Sequence, residues 1–319
     1  MMNIVILDGH TLNPGDNPWT PVERLGKVTL YDRPPLNKII ERARDAEVIL
    51  TNKVPLDADT LAKLPALKLI CVTATGYNIV DTRAASARGI VVTNVPEYST
   101  DSVAQFTFAM ILELCHGVGY HDYSVKAGEW EKCPDFSYTL SPTIELTGKT
   151  LGIIGFGRIG RRVGSLAHAF GMEVLAASRS VITPPGYSPF AAVPFDALLE
   201  RSDFVTLHCP LTEQNKGMIN RSTLSRMKST ACLINLARGG LVNEQDLADA
   251  LKNRTIAAAA VDVVSVEPIT SDNPLPAQEN CIITPHIAWA TVEARQRLMS
   301  AVAKNIEAYL AGRPVNVVN

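Results

Sequence analysis

Residues 151–160, LGIIGFGRIG, restrict this chain more than any other stretch. Leu151, Ile153 and Ile154 read as the end of a buried strand, and residues 161–170 read as a helix. Between them Gly155, Gly157 and Gly160 stand in G-x-G-x-x-G spacing, with Phe156, Arg158 and Ile159 interleaved. A strand, a tight glycine turn and a helix N-terminus together form a cradle for a pyrophosphate. Gly155 permits the turn, Gly157 lets the backbone approach the phosphates, and Gly160 lets the helix pack on the strand. Alone the spacing is weak evidence, because glycines close many strand-to-helix turns. Its weight comes from the flanking chain.

On the N-terminal side, short apolar runs at residues 3–7, 28–31, 48–50, 69–71 and 90–92 recur at intervals of roughly 20 residues, with helical segments such as 36–45 and 57–64 between them. Strands alternating with helices imply βαβ units and a small parallel-sheet α/β domain over about the first hundred residues. Thr75-Gly76 follows the strand at residues 69–71, where backbone amides can meet an anion, although an ordinary loop explains it as well. Ser99, Thr100 and Asp101 offer N-caps for a connecting helix through Leu114. Residues 116–141, with Trp130, Phe136 and Tyr138, are too many for a simple link and suggest an arm that packs on something. On the C-terminal side, strands at 173–177, 204–207, 232–236, 257–263 and 281–284 outline a second, larger doubly wound domain, and a helix over 292–310 crosses back to complete the first.

Composition removes other classes. At 319 residues the chain has room for two domains, and a formal net charge of -2 argues against nucleic acid as the main partner. No signal peptide is read at the start, and the longest apolar helical stretch, near residues 106–115, contains Glu113 and is too short to span a bilayer. The six cysteines lack C-x-x-C spacing and read as reduced thilos of a cytoplasmic protein; no metal site is expected.

Three polar residues stand at strand ends of the second domain: Arg238 after LINLA, Glu267 after AVDVVS, and His286 after IITP. Such ends line the same crevice as the glycine turn. An arginine, a carboxylate and a histidine there suit hydride transfer to a 2-keto acid. Arg238 would fork onto the substrate carboxylate, His286 would exchange a proton with the carbonyl oxygen, and Glu267 would orient the imidazole. Each also has a plain structural alternative: loop neutralisation for Arg238, a turn cap for Glu267, a structural histidine for His286.

Taken together, ATGYNIVD, GIVVTNVP, TDSVAQ, LGIIGFGRIG, HCPLT, INLARGGLV, VDVVSVEP and TPHIAWAT resemble the D-isomer-specific 2-hydroxyacid dehydrogenase family, in its hydroxypyruvate reductase/glycerate dehydrogenase branch, over essentially the whole chain. The resemblance implies two doubly wound parallel-sheet domains: a Rossmann-type dinucleotide-binding domain over 100–287, and a smaller flavodoxin-like substrate domain formed by 1–99 and 288–319. It implies that Arg238, Glu267 and His286 are catalytic, and that Thr75, Gly76 and Trp289 meet the substrate. It also sets Thr75, Cys209, Pro210, Leu236, Ala237, Asp262 and Ala288 around the cofactor, together with Arg238 and His286. The arm around 116–141 becomes a homodimer contact. Thr75-Gly76 and Trp289 favour hydroxypyruvate, and with it glyoxylate, over bulkier keto acids.

One departure bears on the cofactor. NAD-specific sites usually end the second strand with an acid that accepts from the ribose hydroxyls. Here EVLAA runs into Ser178-Arg179-Ser180, which would hydrogen-bond and neutralise a ribose phosphate. NADP(H) is therefore the expected cofactor, with NAD(H) the alternative. The competing readings are a dehydrogenase for another 2-hydroxy acid, such as 3-phosphoglycerate, and a dinucleotide-sensing corepressor-like binding protein.

Overall fold

Short, mostly apolar strands of three to five residues form two parallel sheets in the computed structural model, which describes residues 1–33 and 35–319. The backbone divides into two units, Met1–Ser99 with Trp289–Asn319, and Thr100–Ala288.

The smaller unit begins with β1 (Met2–Ile6), α1 (Thr20–Glu23), β2 (Gly26–Leu30), α2 (Ile39–Ala43), β3 (Val48–Thr51), α3 (Ala58–Ala62), β4 (Leu69–Val72), α4 (Thr82–Ala87) and β5 (Val91–Thr93). β3 and β4 are buried at every position, as strands covered on both faces must be. The order β2-β1-β3-β4-β5, all parallel, is the flavodoxin-like one, and the direction of winding reverses between β1 and β3. At that reversal the Asp8 carboxylate accepts from the amides of Asn52 (2.9 Å) and Lys53 (2.6 Å). Burial pushes its pKa up, and those backbone donors oppose the rise.

The larger unit contains α5 (Thr100–His116), α6 (Val118–Lys126), β6 (Thr150–Ile154), α7 (Arg158–Ala169), β7 (Glu173–Ala177), β8 (Phe190–Ala192), α8 (Phe195–Arg201), β9 (Phe204–Leu207), α9 (Arg221–Leu224), β10 (Cys232–Asn235), α10 (Glu244–Lys252), β11 (Ala258–Val261) and β12 (Cys281–Ile283). Its seven parallel strands lie in the order β12-β11-β10-β9-β6-β7-β8, so winding reverses between β6 and β9. One side of this sheet packs Ile154, Leu175, Val205, Leu207, Leu233 and Val261 into a single core. No single helix among the described residues is long and apolar enough to cross a bilayer.

The chain then returns to the smaller unit through α11 (Val292–Leu310). Thr291 caps it by accepting from the Ala294 amide, and Leu298, Met299, Val302 and Ile306 recur at helical spacing to meet Ile4, Leu50 and Leu69. Arg295, on the buried side, is held by both oxygens of the Asp16 carboxylate, and its carbonyl accepts from Asn17 Nδ2.

Three local features differ from the sequence reading. Helix α7 starts at Arg158 rather than at 161, because Gly157 already serves as the N-cap and Phe156 is drawn into the core. Strand β8, absent from the strands read from the sequence, pairs with β7 after a segment containing Pro184, Pro185, Gly186 and Pro189. The arm opens with helix α6, split from α5 by Gly117 in the left-handed region at φ 52°.

Candidate active site

The larger sheet's reversal brings the glycine turn against the loop that follows β9. Gly155 has φ 95°, and a Cβ there would lie 2.6 Å from the Cys209 amide nitrogen and 2.7 Å from the His208 carbonyl carbon. Only glycine fits between those two backbones. The arrangement is pinned by the Gly155 amide donating to Ala177 O (2.8 Å) and the His208 amide donating to Ile154 O (2.8 Å). Gly157 differs: a Cβ there would meet nothing within 4 Å. The open space beside it, and an α7 N-terminus with no side-chain cap, suit a phosphate group approaching the helix amides. The residues present therefore fit a dinucleotide pyrophosphate.

Ser178, Arg179 and Ser180 follow β7, the strand beside β6, and all three are exposed. The Ser180 amide donates to Ser178 Oγ (3.3 Å). Burial pushes the Cys209 thiol up, opposed by its own backbone amide and then by the Arg179 charge. Cys209 itself is half-buried and Pro210 exposed.

Arg238 is presented by a stitched turn. Asn235, the last residue of β10 and 1% exposed, accepts from the Ala237 amide (3.1 Å) and donates from Nδ2 to the Arg238 carbonyl (2.9 Å). The turn lies backbone to backbone on the next loop, since a Cβ at Gly239 would sit 1.9 Å from the Val264 carbonyl carbon. Arg238 is exposed, and its guanidinium donates to the Ala237 carbonyl at 2.6 Å.

Glu267 and His286 come together. Nδ1 of His286 lies 2.7 Å from Glu267 Oε2, while Glu267 Oε1 accepts from the Val264 amide (3.3 Å). A carboxylate on Nδ1 holds the proton at that nitrogen and leaves Nε2 as the atom that exchanges a proton with a ligand. Both side chains are about one-third exposed or less, at 28% and 31%. His286 has φ 56°, a conformation that costs a non-glycine residue about 1–3 kcal/mol and persists only when its surroundings impose it. Asp262 imposes it here. Its carboxylate accepts from Thr284 Oγ1 (2.6 Å), the Ile287 amide (2.9 Å) and the Ala288 amide (2.8 Å), which fixes the backbone on both sides of His286.

Phe156, Leu236, Asp262 and Ala288 are 4%, 7%, 1% and 3% exposed, so little of their side chains is open to a ligand. Arg158 is exposed and Ile159 and Ala237 half-buried, while Gly160 lies under the turn. Thr75, Gly76 and Trp289 belong to the smaller unit. There Thr75 Oγ1 donates to the Val95 carbonyl (2.9 Å), Asn94 Nδ2 donates to the Thr75 carbonyl (2.8 Å), and Trp289 packs edge-on against Tyr98. Asn235 was missed, although a polar residue closing an apolar strand just before Arg238 was a readable signal. Among the described residues no cluster of His, Cys, Asp and Glu could hold a metal ion.

Residues 108–288 match the family model described as D-isomer specific 2-hydroxyacid dehydrogenase, NAD binding domain. Over the full length of both chains this one is 47% identical to a hydroxypyruvate reductase of Blautia hydrogenotrophica. It is 41% identical to a glycerate dehydrogenase of Methylorubrum extorquens, covering 97% of this chain and 92% of that one. Among solved structures it is similar to an NADPH-dependent glyoxylate/hydroxypyruvate reductase of Sinorhizobium meliloti in complex with NADP and malonate, at 27% identity and a TM-score of 0.84, covering 99% and 96% of the two chains.

Proposed function

The chain belongs to the D-isomer-specific 2-hydroxyacid dehydrogenases, oxidoreductases of the CH–OH group that bind a nicotinamide dinucleotide, and from that premise we propose that it reduces hydroxypyruvate to D-glycerate and glyoxylate to glycolate. The observation that carries this reading is the His286–Glu267 pair at 2.7 Å in the same unit as the exposed Arg238.

Arg238 binds the carboxylate of the 2-keto acid through its planar fork and draws electron density from the adjacent carbonyl. His286 donates the proton from Nε2 to the carbonyl oxygen as reduction proceeds, and takes it back in the reverse direction. Glu267 holds the ring by Nδ1, so that the proton-bearing nitrogen keeps one orientation. The dinucleotide, when bound, supplies or accepts the hydride. Its pyrophosphate would be met by the α7 amides and Gly157, and the rest of it by Cys209, Pro210 and the 236–238 turn.

Ser178, Arg179 and Ser180 favour NADP(H): a guanidinium and two hydroxyls stand where an acid would repel a ribose phosphate. The relative from Sinorhizobium meliloti, bound to NADP, supports the same assignment. Thr75, Gly76 and Trp289 are the substrate contacts proposed for the smaller unit, residues 1–99 and 289–319, and residues 100–288, with Ala288 included, form the cofactor domain. The chain acts as a homodimer through the arm at 116–141, and its six free thiols suit the cytoplasm. Initial rates with hydroxypyruvate, glyoxylate and 3-phosphohydroxypyruvate, each with NADPH, test the substrate. A preference for the phosphorylated keto acid would overturn it.

A further inference from the structure

The segment that leaves Ser180 and re-enters the sheet as β8 is fastened along helix α7 by side chains that touch neither substrate nor cofactor in the account above. Tyr187 stacks on His168, in the last turn of α7, with ring centroids 5.0 Å apart and planes 14° apart. The edge of Tyr187 meets Phe190 at 6.2 Å, and Phe190 packs on Phe156 of the glycine turn at 5.1 Å. Further along the same helix, Arg161 donates to the Thr183 carbonyl (2.9 Å) while its guanidinium lies over the Phe156 ring at 5.0 Å. The Tyr187 hydroxyl ends on Gly164. It is buried without a hydrogen-bond partner, and a Cβ at Gly164 would lie 2.2 Å from it. Burial pushes that hydroxyl up to about 12, so it stays protonated and neutral. An unpartnered buried hydroxyl costs stability and Phe would avoid the cost, so the contact is one of shape: the ring is seated because residue 164 has no side chain.

We propose that Tyr187, seated on Gly164 and stacked on His168, is a positioning residue that holds the 178–187 loop on α7 and thereby sets discrimination between NADPH and NADH. This rests on the reading that residues 178–180 take the ribose phosphate. The loop bridges two adjacent parallel strands with no helix of its own, so its own backbone gives it little order. Fastening it at both Thr183 and Tyr187 means that binding NADPH need not order Arg179 as well, and the saved entropy appears as affinity.

The test is a double-mutant cycle. Gly164→Ala improves the helix's intrinsic propensity but unseats the Tyr187 ring, so KM for NADPH rises about tenfold with kcat and the KM for hydroxypyruvate little changed. Tyr187→Phe keeps the stack and behaves as the parent. The double variant Gly164→Ala/Tyr187→Phe has room for the added methyl and recovers much of the NADPH affinity. Amide exchange over residues 179–187, measured on the same proteins without cofactor, speeds up in Gly164→Ala and is restored in the double variant. Equal NADPH KM values and equal exchange in parent and Gly164→Ala would overturn the proposal. Arg179→Ala separates the two claims. If it leaves the NADPH/NADH ratio unchanged, the reading of residues 178–180 fails. If it lowers the ratio while Gly164→Ala does not, that reading stands and the clamp is wrong.

Discussion

In the proposed reaction His286 works through Nε2, and Glu267 occupies Nδ1. Replacing His286 with Ala removes the proton donor without touching the glycine turn, so turnover falls by roughly 10²–10⁴-fold while dinucleotide binding persists. Because reduction consumes a proton at His286 and oxidation returns one, rising pH slows reduction and falling pH slows oxidation. Parallel pH profiles in the two directions would contradict the assignment. A second histidine affects stability instead. His208 Nε2 is buried without a partner, and burial brings its pKa down from 6.5 to about 4. The unfolded chain binds that proton more readily than the folded one, so stability from His208 is complete above about pH 6.5 and is lost as pH falls toward 4. The full difference is roughly 3 kcal/mol. Urea unfolding of His208→Asn across that range should show a shallower acid decline than the parent; equal declines would contradict it. The placement of Arg238, Glu267 and His286 in loops after strands was legible in the sequence because polar residues that follow apolar strands stand out. The left-handed backbone of His286 was not, since it is imposed by Asp262, 24 positions earlier in the chain.

At the scale of elements, the loops after β10, β11 and β12 are held by side-chain hydrogen bonds rather than by regular structure. Asn235 closes the first, Asp262 bridges the second to the third, and Glu244 at the start of α10 accepts from Ser265 (2.5 and 2.7 Å) and Asn273 (2.9 Å). Asp262→Asn keeps the shape but cannot accept three donors. His286 then loses its fixed position, and kcat drops by about 10- to 100-fold while cofactor affinity holds. Direct cofactor binding by Asp262 would instead raise the dinucleotide Kd, and a fluorescence titration separates the two. The alternation of strand and helix was readable because parallel strands are nearly all apolar. Strand β8 escaped notice because three residues behind Pro184, Pro185, Gly186 and Pro189 carry too little pattern to compete with the turn signals around them. Helix α6 was hidden by the polar and aromatic composition of the arm, whose burial pattern is not that of a core helix.

At the scale of the whole molecule, the arm leaves Phe136, Tyr123, Tyr120 and Trp130 between 52% and 91% exposed. A run of large apolar side chains like this marks a surface that associates. Placing a charge there, as in Phe136→Asp with Trp130→Asp, should convert a dimer to a monomer by sedimentation velocity; an unchanged dimer would assign association to another surface. The assignment of the chain to its family does not depend on that outcome. The reaction itself is tested most directly by initial rates of hydroxypyruvate reduction for the parent and His286→Ala, with NADPH and NADH at matched concentrations. Rapid turnover in the parent, faster with NADPH, and its collapse in His286→Ala with NADPH still bound, is the predicted result. Equal turnover by the parent and His286→Ala would contradict the account.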